Sequence, residues 1–254
     1  MTPGTNKTML KSTVLFTVLL LSGLLLCSAN ACAEPVLDPY EIARSASDRL
    51  SAASSVSVHI EKRFDVVLHN GAKVEYSGAL QVLSSKSAGL FMDYGDDLSA
   101  RQVWYDGSSM TMLDPLKNLY VTIPVEGSVA VALTTVSEKH GLDLPLKPLL
   151  QDNLLEKMEP VVRASHLGIH DAEGEPCHHL LFLGEHLDMQ LWITTGDAPL
   201  LRKLVVTLWE IEGSPQQSLT FHDWNLEAVI DPEEFEAQLP DGAMAIEILP
   251  AGGE

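Results

Sequence analysis

Cysteine is scarce in this 254-residue chain: there are three, and two of them, Cys27 and Cys32, stand near the N-terminus. Only Cys177 lies in the body of the sequence, so no internal disulfide can form there and stability must come from a buried core. Basic residues are also few, 16 Lys and Arg against 35 Asp and Glu, for a formal net charge of −19. That balance excludes binding of nucleic acid or anionic membrane surfaces through bulk charge, and it favours solubility. Beyond the N-terminal leader no apolar run reaches the ~18 residues of a membrane-spanning helix. There is no G-x-S-x-G elbow, phosphate loop, dinucleotide fingerprint, H-E-x-x-H or spaced C-x-x-C, so the common hydrolase, nucleotide and zinc signatures are missing. Fixed-period repeats and low-complexity tracts are missing too. A chain of this length can still bury one sizeable core.

What is present begins with a leader. Lys7 and Lys11 precede the apolar run Val14 to Leu26, and Ala31-Cys32-Ala33 fits the small-residue cleavage rule before the chain turns polar at Glu34-Pro35. The pattern predicts a signal peptide over 1–33 and an exported, soluble mature chain over 34–254. Losing Lys7 and Lys11 with no acid takes the formal charge from −19 to −21. Two alternatives are an uncleaved anchor and cleavage after Ala31, which would leave Cys32 as a lipidated N-terminus.

Past the leader the backbone reads mostly as strands. Asp38-Pro39-Tyr40-Glu41 is a helix start, with Asp as N-cap, Pro in the first turn and Glu reaching back; Ile42, Ala46, Leu50 and Ala53 then form one apolar stripe. From Ser55 the period becomes two. Val56, Val58, Ile60, Phe64, Val66 and Leu68 share a face that only Lys62 interrupts, which predicts a strand of unusual length. Asn70-Gly71 predicts a tight hairpin turn with positive φ. Val74, Tyr76, Leu80 and Val82 return, and further hairpins are punctuated by Asp106-Gly107 and Asp114-Pro115. Helix is expected from Ser128 through Val129, Leu133 and Val136 to Gly141, and again in Pro145 to Met158. Strands resume near Val161 to Ile169, Cys177 to Phe182, Met189 to Ile193, Leu201 to Trp209 and Ser218 to Trp224. The sum is one α+β domain: a long curved antiparallel sheet with a helical insertion at about 126–158. Antiparallel neighbours need only short turns, so the insertion is read as a lid laid over the sheet.

The most chemically suggestive stretch is EPCHHLLFLGEHLDMQLWI, residues 175–193. Side chains alternate along a strand, so Cys177 and His179 share one face and His178 the other. The metal reading takes Cys177 and His179 as ligands, but zinc wants three or four and no partner motif accompanies them. The expected outcome is a paired strand with no bound ion and no cofactor, Cys177 being a small buried residue. A Cys177 nucleophile fails for the same alternation. Asp93, Asp96 and Asp97 read as an exposed acidic turn rather than a calcium loop. Trp104, Tyr105, Trp192, Trp209 and Trp224 read as core rather than a ligand box.

Taken in order, these segments resemble a known family. They are Asp38-Pro39, Val103-Trp104-Tyr105-Asp106-Gly107, Asp114-Pro115, Asn118-Leu119-Tyr120, Cys177-His178-His179-Leu180, Gln190-Leu191-Trp192-Ile193, Pro199 through Lys203 and Asp223-Trp224-Asn225. Together they resemble domain-of-unknown-function family 2092, predicted periplasmic proteins similar to the LolA-like superfamily of Gram-negative envelopes, over roughly residues 36–250. The resemblance implies a LolA-like incomplete β-barrel whose sheet wraps helices around an apolar cavity, and it implies no catalytic residues. The resulting expectation is a non-enzymatic periplasmic protein that binds an acyl chain, lipid or lipidated protein. Its lining would be Val56, Val58, Ile60, Phe64 and Val66 with Leu133 and Val136 of the insertion. The alternative is a periplasmic sensor acting through an envelope protein partner.

Overall fold

The computed structural model of the protein describes residues 37–142 and 161–248. It opens on α1, Pro39–Ala52, where Asp38 accepts a hydrogen bond from the Tyr40 amide at 2.9 Å and Glu41 adds a carboxylate to the first turn. The most buried positions of α1 are small, Ala43, Ala46 and Ser47, which lets the helix axis approach the sheet closely. Ile42 packs beside them, and Tyr40 meets Phe182 edge-on at 5.4 Å.

Twelve strands follow: β1 Ser55–Val67, β2 Lys73–Ser85, β3 Gly89–Asp96, β4 Ala100–Tyr105, β5 Ser109–Asp114, β6 Leu119–Pro124, then after α2 (Val129–His140) β7 Val161–Ala172, β8 Glu175–Gly184, β9 Asp188–Thr194, β10 Leu201–Thr207, β11 Gln216–Asn225 and β12 Met244–Ala245. They form one sheet in the order β12-β6-β5-β4-β3-β2-β1-β11-β10-β9-β8-β7. All neighbours are antiparallel except β12, which runs parallel to β6. The sheet is open, with β7 and β12 at its ends. This is the expected incomplete barrel.

The order corrects the reasoning about the insertion. The chain walks outward from β1 to β6, crosses to the far end at β7 and walks back, so β11 closes against β1 in the middle. Going from β6 to β7 crosses ten inter-strand steps, about 48 Å along a flat sheet. Connectivity alone therefore demands a long crossover here. Its described helix, α2, is capped by the Ser128 hydroxyl at one end and by left-handed Gly141 at the other, as the sequence predicts. The helix expected in Pro145 to Met158 lies outside the described residues.

Alternation along β1 continues across the whole sheet. Val58 pairs with Val82, and Ile60 pairs with Leu80 on one side and Phe221 on the other. Val82 pairs with Met92, which pairs with Val103. The inner face so formed packs against Ala43 and Ala46 of α1 and Val129, Ala132, Leu133 and Val136 of α2 in one apolar core. A smaller layer covers the outer face: Phe235, in a 3-10 turn over Pro232–Phe235, is buried over Gly89, where a Cβ would stand 2.9 Å from its ring. Trp104 and Phe91 lie beside it, their rings tilted at 39° with centroids 5.7 Å apart.

Three local expectations are corrected. Asn70-Gly71 sits in a wider loop closed by the Leu68 amide on the Ala72 carbonyl; only Gly71 takes a positive φ, 81°, and Leu68 falls outside the strand. Asp96 is not part of an exposed acidic turn: its side chain is 3% exposed, and one oxygen accepts from the Leu98 and Ser99 amides at 2.8 Å. Trp209, expected in the core, is 44% exposed beyond the end of β10.

Candidate functional site

The inner face changes character along β1. Val58 and Ile60 are 3% and 0% exposed, and Leu133 and Val136 opposite them are both at 0%, so these four expected lining residues form closed core. Val56 packs at the margin of that core. Toward the far end of the strand, Phe64 and Val66 are half-buried. Their register partners share this state: Phe64 lies across from Tyr76, with rings 5.8 Å apart, and Val66 across from Val74. Met189 and Val206, paired on β9 and β10, carry the half-buried strip to the other side of β11.

Lys62 stands at the boundary between closed core and strip. Its ammonium donates to the Tyr94 hydroxyl at 3.3 Å, lies 3.9 Å from Asp96 and sits 4.2 Å over the Phe64 ring. Tyr94 in turn donates to Asp96. Burial pulls the Lys62 pKa below its ordinary value, and the Asp96 charge opposes that. Between the two, Gly78 leaves room that no other residue would: a Cβ there would come within 2.5 Å of the Asp96 Cβ. Along the same inner face, toward β6, a cleft of about 250 Å³ is lined by Met112, Val121, Leu142, Ile246 and Ile248, with Arg101 also on its wall.

The Cys-His-His stretch is a regular strand, β8, paired on both sides. Leu180 and Phe182 enter the main core, while Cys177 is fully buried outside that cluster. Burial pushes its thiol up to about 11, with Glu175 adding to the rise. Each histidine finds a different partner. His178 Nδ1 is 3.2 Å from His166 Nε2. His179 stacks on Trp192 at 4.0 Å, places Nε2 3.1 Å from Gln190 Oε1 and Nδ1 2.9 Å from His170 Nδ1. Burial lowers the pKa of both His178 and His179. Among the described residues no three His, Cys, Asp or Glu side chains converge as a metal centre. The sequence identified Lys62 as an interruption only, and it did not identify His166, His170 or Gln190 as partners; those pairings depend on strand register and a bulge between His166 and Gly168.

A search of curated proteins finds no match. Solved structures give distant likenesses. An uncharacterised conserved protein from Thermus thermophilus is 9% identical, with 82% of this chain and 97% of that chain covered and a TM-score of 0.48. LprF from Mycobacterium bovis is 12% identical over 81% and 97% of the two chains, TM-score 0.41. A LolA superfamily protein from Nitrosomonas europaea is 12% identical over 79% and 98%, TM-score 0.36. The family model, in contrast, matches residues 40–249: the chain belongs to domain-of-unknown-function family 2092, described as predicted periplasmic proteins.

Proposed function

We propose that this is a non-enzymatic periplasmic protein that binds the acyl chain of a lipid or lipidated protein on the inner face of its open sheet. The carrying observation is the half-buried strip of Phe64, Val66, Val74, Tyr76, Met189 and Val206, which continues the core face past the tightly packed end. Apolar side chains left partly accessible inside a curved sheet favour an apolar occupant at about 25 cal/mol per Å² removed from water. The 250 Å³ cleft beside Met112 and Val121 falls just below the ~300 Å³ at which small-molecule pockets begin, enough for a segment of chain rather than a whole lipid. Export is supported by the leader and by the description of the family.

The test is saturable binding of a dansylated fatty acid to the purified protein, displaced by unlabelled fatty acid. The double variant Phe64→Asp, Val66→Asp should weaken it by about tenfold or more, since two carboxylates would line the strip. Absence of saturable binding, together with native mass spectra showing no co-purifying lipid, would remove this reading.

A further inference from the structure

Lys62 interrupts the apolar face of β1 where the sealed core gives way to the half-buried strip. On one side of it Ile60 is fully buried, and on the other Phe64 and Val66 lead outward. A lysine at such a position costs free energy unless its charge and its donors are met. The ammonium carries three N–H groups. Its hydrogen bond to the Tyr94 hydroxyl takes one, and Asp96 Oδ2, at 3.9 Å, lies beyond hydrogen-bond reach. The other two therefore have no acceptor among the described residues.

Asp96 does not need them. Its Oδ1 accepts from the Leu98 and Ser99 amides, and its Oδ2 accepts from the Tyr94 hydroxyl. The carboxylate is thus satisfied by backbone and tyrosine, and it acts on Lys62 through charge alone. The ammonium is nonetheless held in place, 4.2 Å over the Phe64 ring and 5.2 Å over the Tyr94 ring. Phe64 also begins the strip, so the fixed cation and the apolar surface share a wall. Gln217, the register partner of Phe64 on β11, adds an amide in the row next to Lys62. The Lys62 side chain is 15% exposed, so a ligand can still reach it.

Resting on the acyl-binding reading above, we infer that Lys62 is the anion anchor of that site and that the ligand is a free fatty acid, its carboxylate on the ammonium and its chain along the strip. A carboxylate supplies two acceptor oxygens and one negative charge, so it meets the two remaining N–H groups with charge-assisted hydrogen bonds. The small accessible fraction suits a carboxylate better than a phosphodiester, which carries a substituent on either side. From β2 to β9 the strip crosses four inter-strand steps, about 19 Å, a path for a long chain rather than a short one.

The experiment compares two fluorescent probes of one chain, dansylaminoundecanoic acid and its methyl ester, on the purified protein near neutral pH. The parent should bind the acid about tenfold more tightly than the ester. Lys62→Met puts an apolar side chain of similar length on an apolar face; it should weaken the acid by about tenfold and leave the ester within about twofold. Ester binding thus reports that this variant is folded. Lys62→Arg should keep the preference for the acid. Dodecanoate should displace the acid probe more strongly than dodecylphosphocholine, and the reverse order would overturn the assignment of the head to a carboxylate. If the parent binds both probes equally, or if Lys62→Met still prefers the acid, the anchor is overturned while the acyl-binding reading stands. If neither probe binds the parent, that reading falls and the anchor with it.

Discussion

Replacing Leu133 by alanine should cost about 3 kcal/mol. Leu133 is 0% exposed on α2, between Ala132 at 0% and Val136 at 0%, and its side chain belongs to the same apolar core as Ile60 and Phe221. Leu-to-Ala changes at fully buried sites cost about 2.7–5 kcal/mol, the spread reflecting how far the surroundings collapse. A sheet of paired strands collapses little, but a helix resting on it can shift, which places the value toward the lower end. Against a total stability of about 5–15 kcal/mol, such a loss lowers the folding equilibrium by roughly two orders of magnitude. In urea it should move the midpoint by about 1 M or more, with Trp fluorescence and far-UV circular dichroism shifting together. Val131, 50% exposed on the same helix, is the control, and Val131→Ala should cost less than about 0.5 kcal/mol. A cost below about 1 kcal/mol for Leu133→Ala, with the sheet transition unmoved, would show that α2 is merely laid over the sheet as a cover, and the packing account would fail.

Two further outcomes follow from single residues. Cys177, fully buried with its thiol pushed up to about 11, should not react with Ellman's reagent in the native protein at pH 8 and should react promptly in denaturant; rapid native labelling would contradict its placement. Asp106, in the β4–β5 turn, is held below the usual carboxylate range: burial pushes it up, but the hydroxyls and amides of Ser108 and Ser109, with both amides and the Ser108 hydroxyl at 2.8 Å, outweigh that. A carboxyl lowered in the fold stabilises above its unfolded pKa and loses that contribution as pH falls through the folded one. The stability gap between the parent and Asp106→Ala at pH 7 should therefore narrow below about pH 4; a gap constant with pH would refute it.

Strand identity was legible because an open sheet with one buried face writes its period directly into the sequence. Val56 through Val66 alternate cleanly, and Gly141 and Ser128 mark α2 by cap chemistry that acts within a few residues. The family resemblance supplied the incomplete barrel. What could not be read was everything set by distance along the chain. No local signal says that β1 pairs with β11, so the sequence alone does not show that sheet geometry requires the crossover. The same ignorance of register hid the His170–His179 approach and made Asp96 look like a solvated turn, when it answers Lys62 on the inner face. Periodicity predicts which face a residue takes but not how deeply it lies, so Ile60 and Phe64 were indistinguishable in sequence although one is sealed and the other half-open.

The pairing of β1 with β11 also governs how the chain reaches this state. Phe64 meets Gln217, 153 positions later, whereas β1 through β6 and β7 through β11 are each built from adjacent hairpins. Local hairpins close quickly, but a contact across so long a loop must first meet its closure entropy, so the two half-sheets should form before the join between them. Until it does, the halves expose the bare edges of β1 and β11, each ten residues or longer, the first rich in apolar side chains. Unpaired edges of that length are templates for other chains. The strand that ends at the centre of the native sheet is thus the one most exposed to mispairing on the way there, and dilution or a holding chaperone should raise refolding yield more than added stability would.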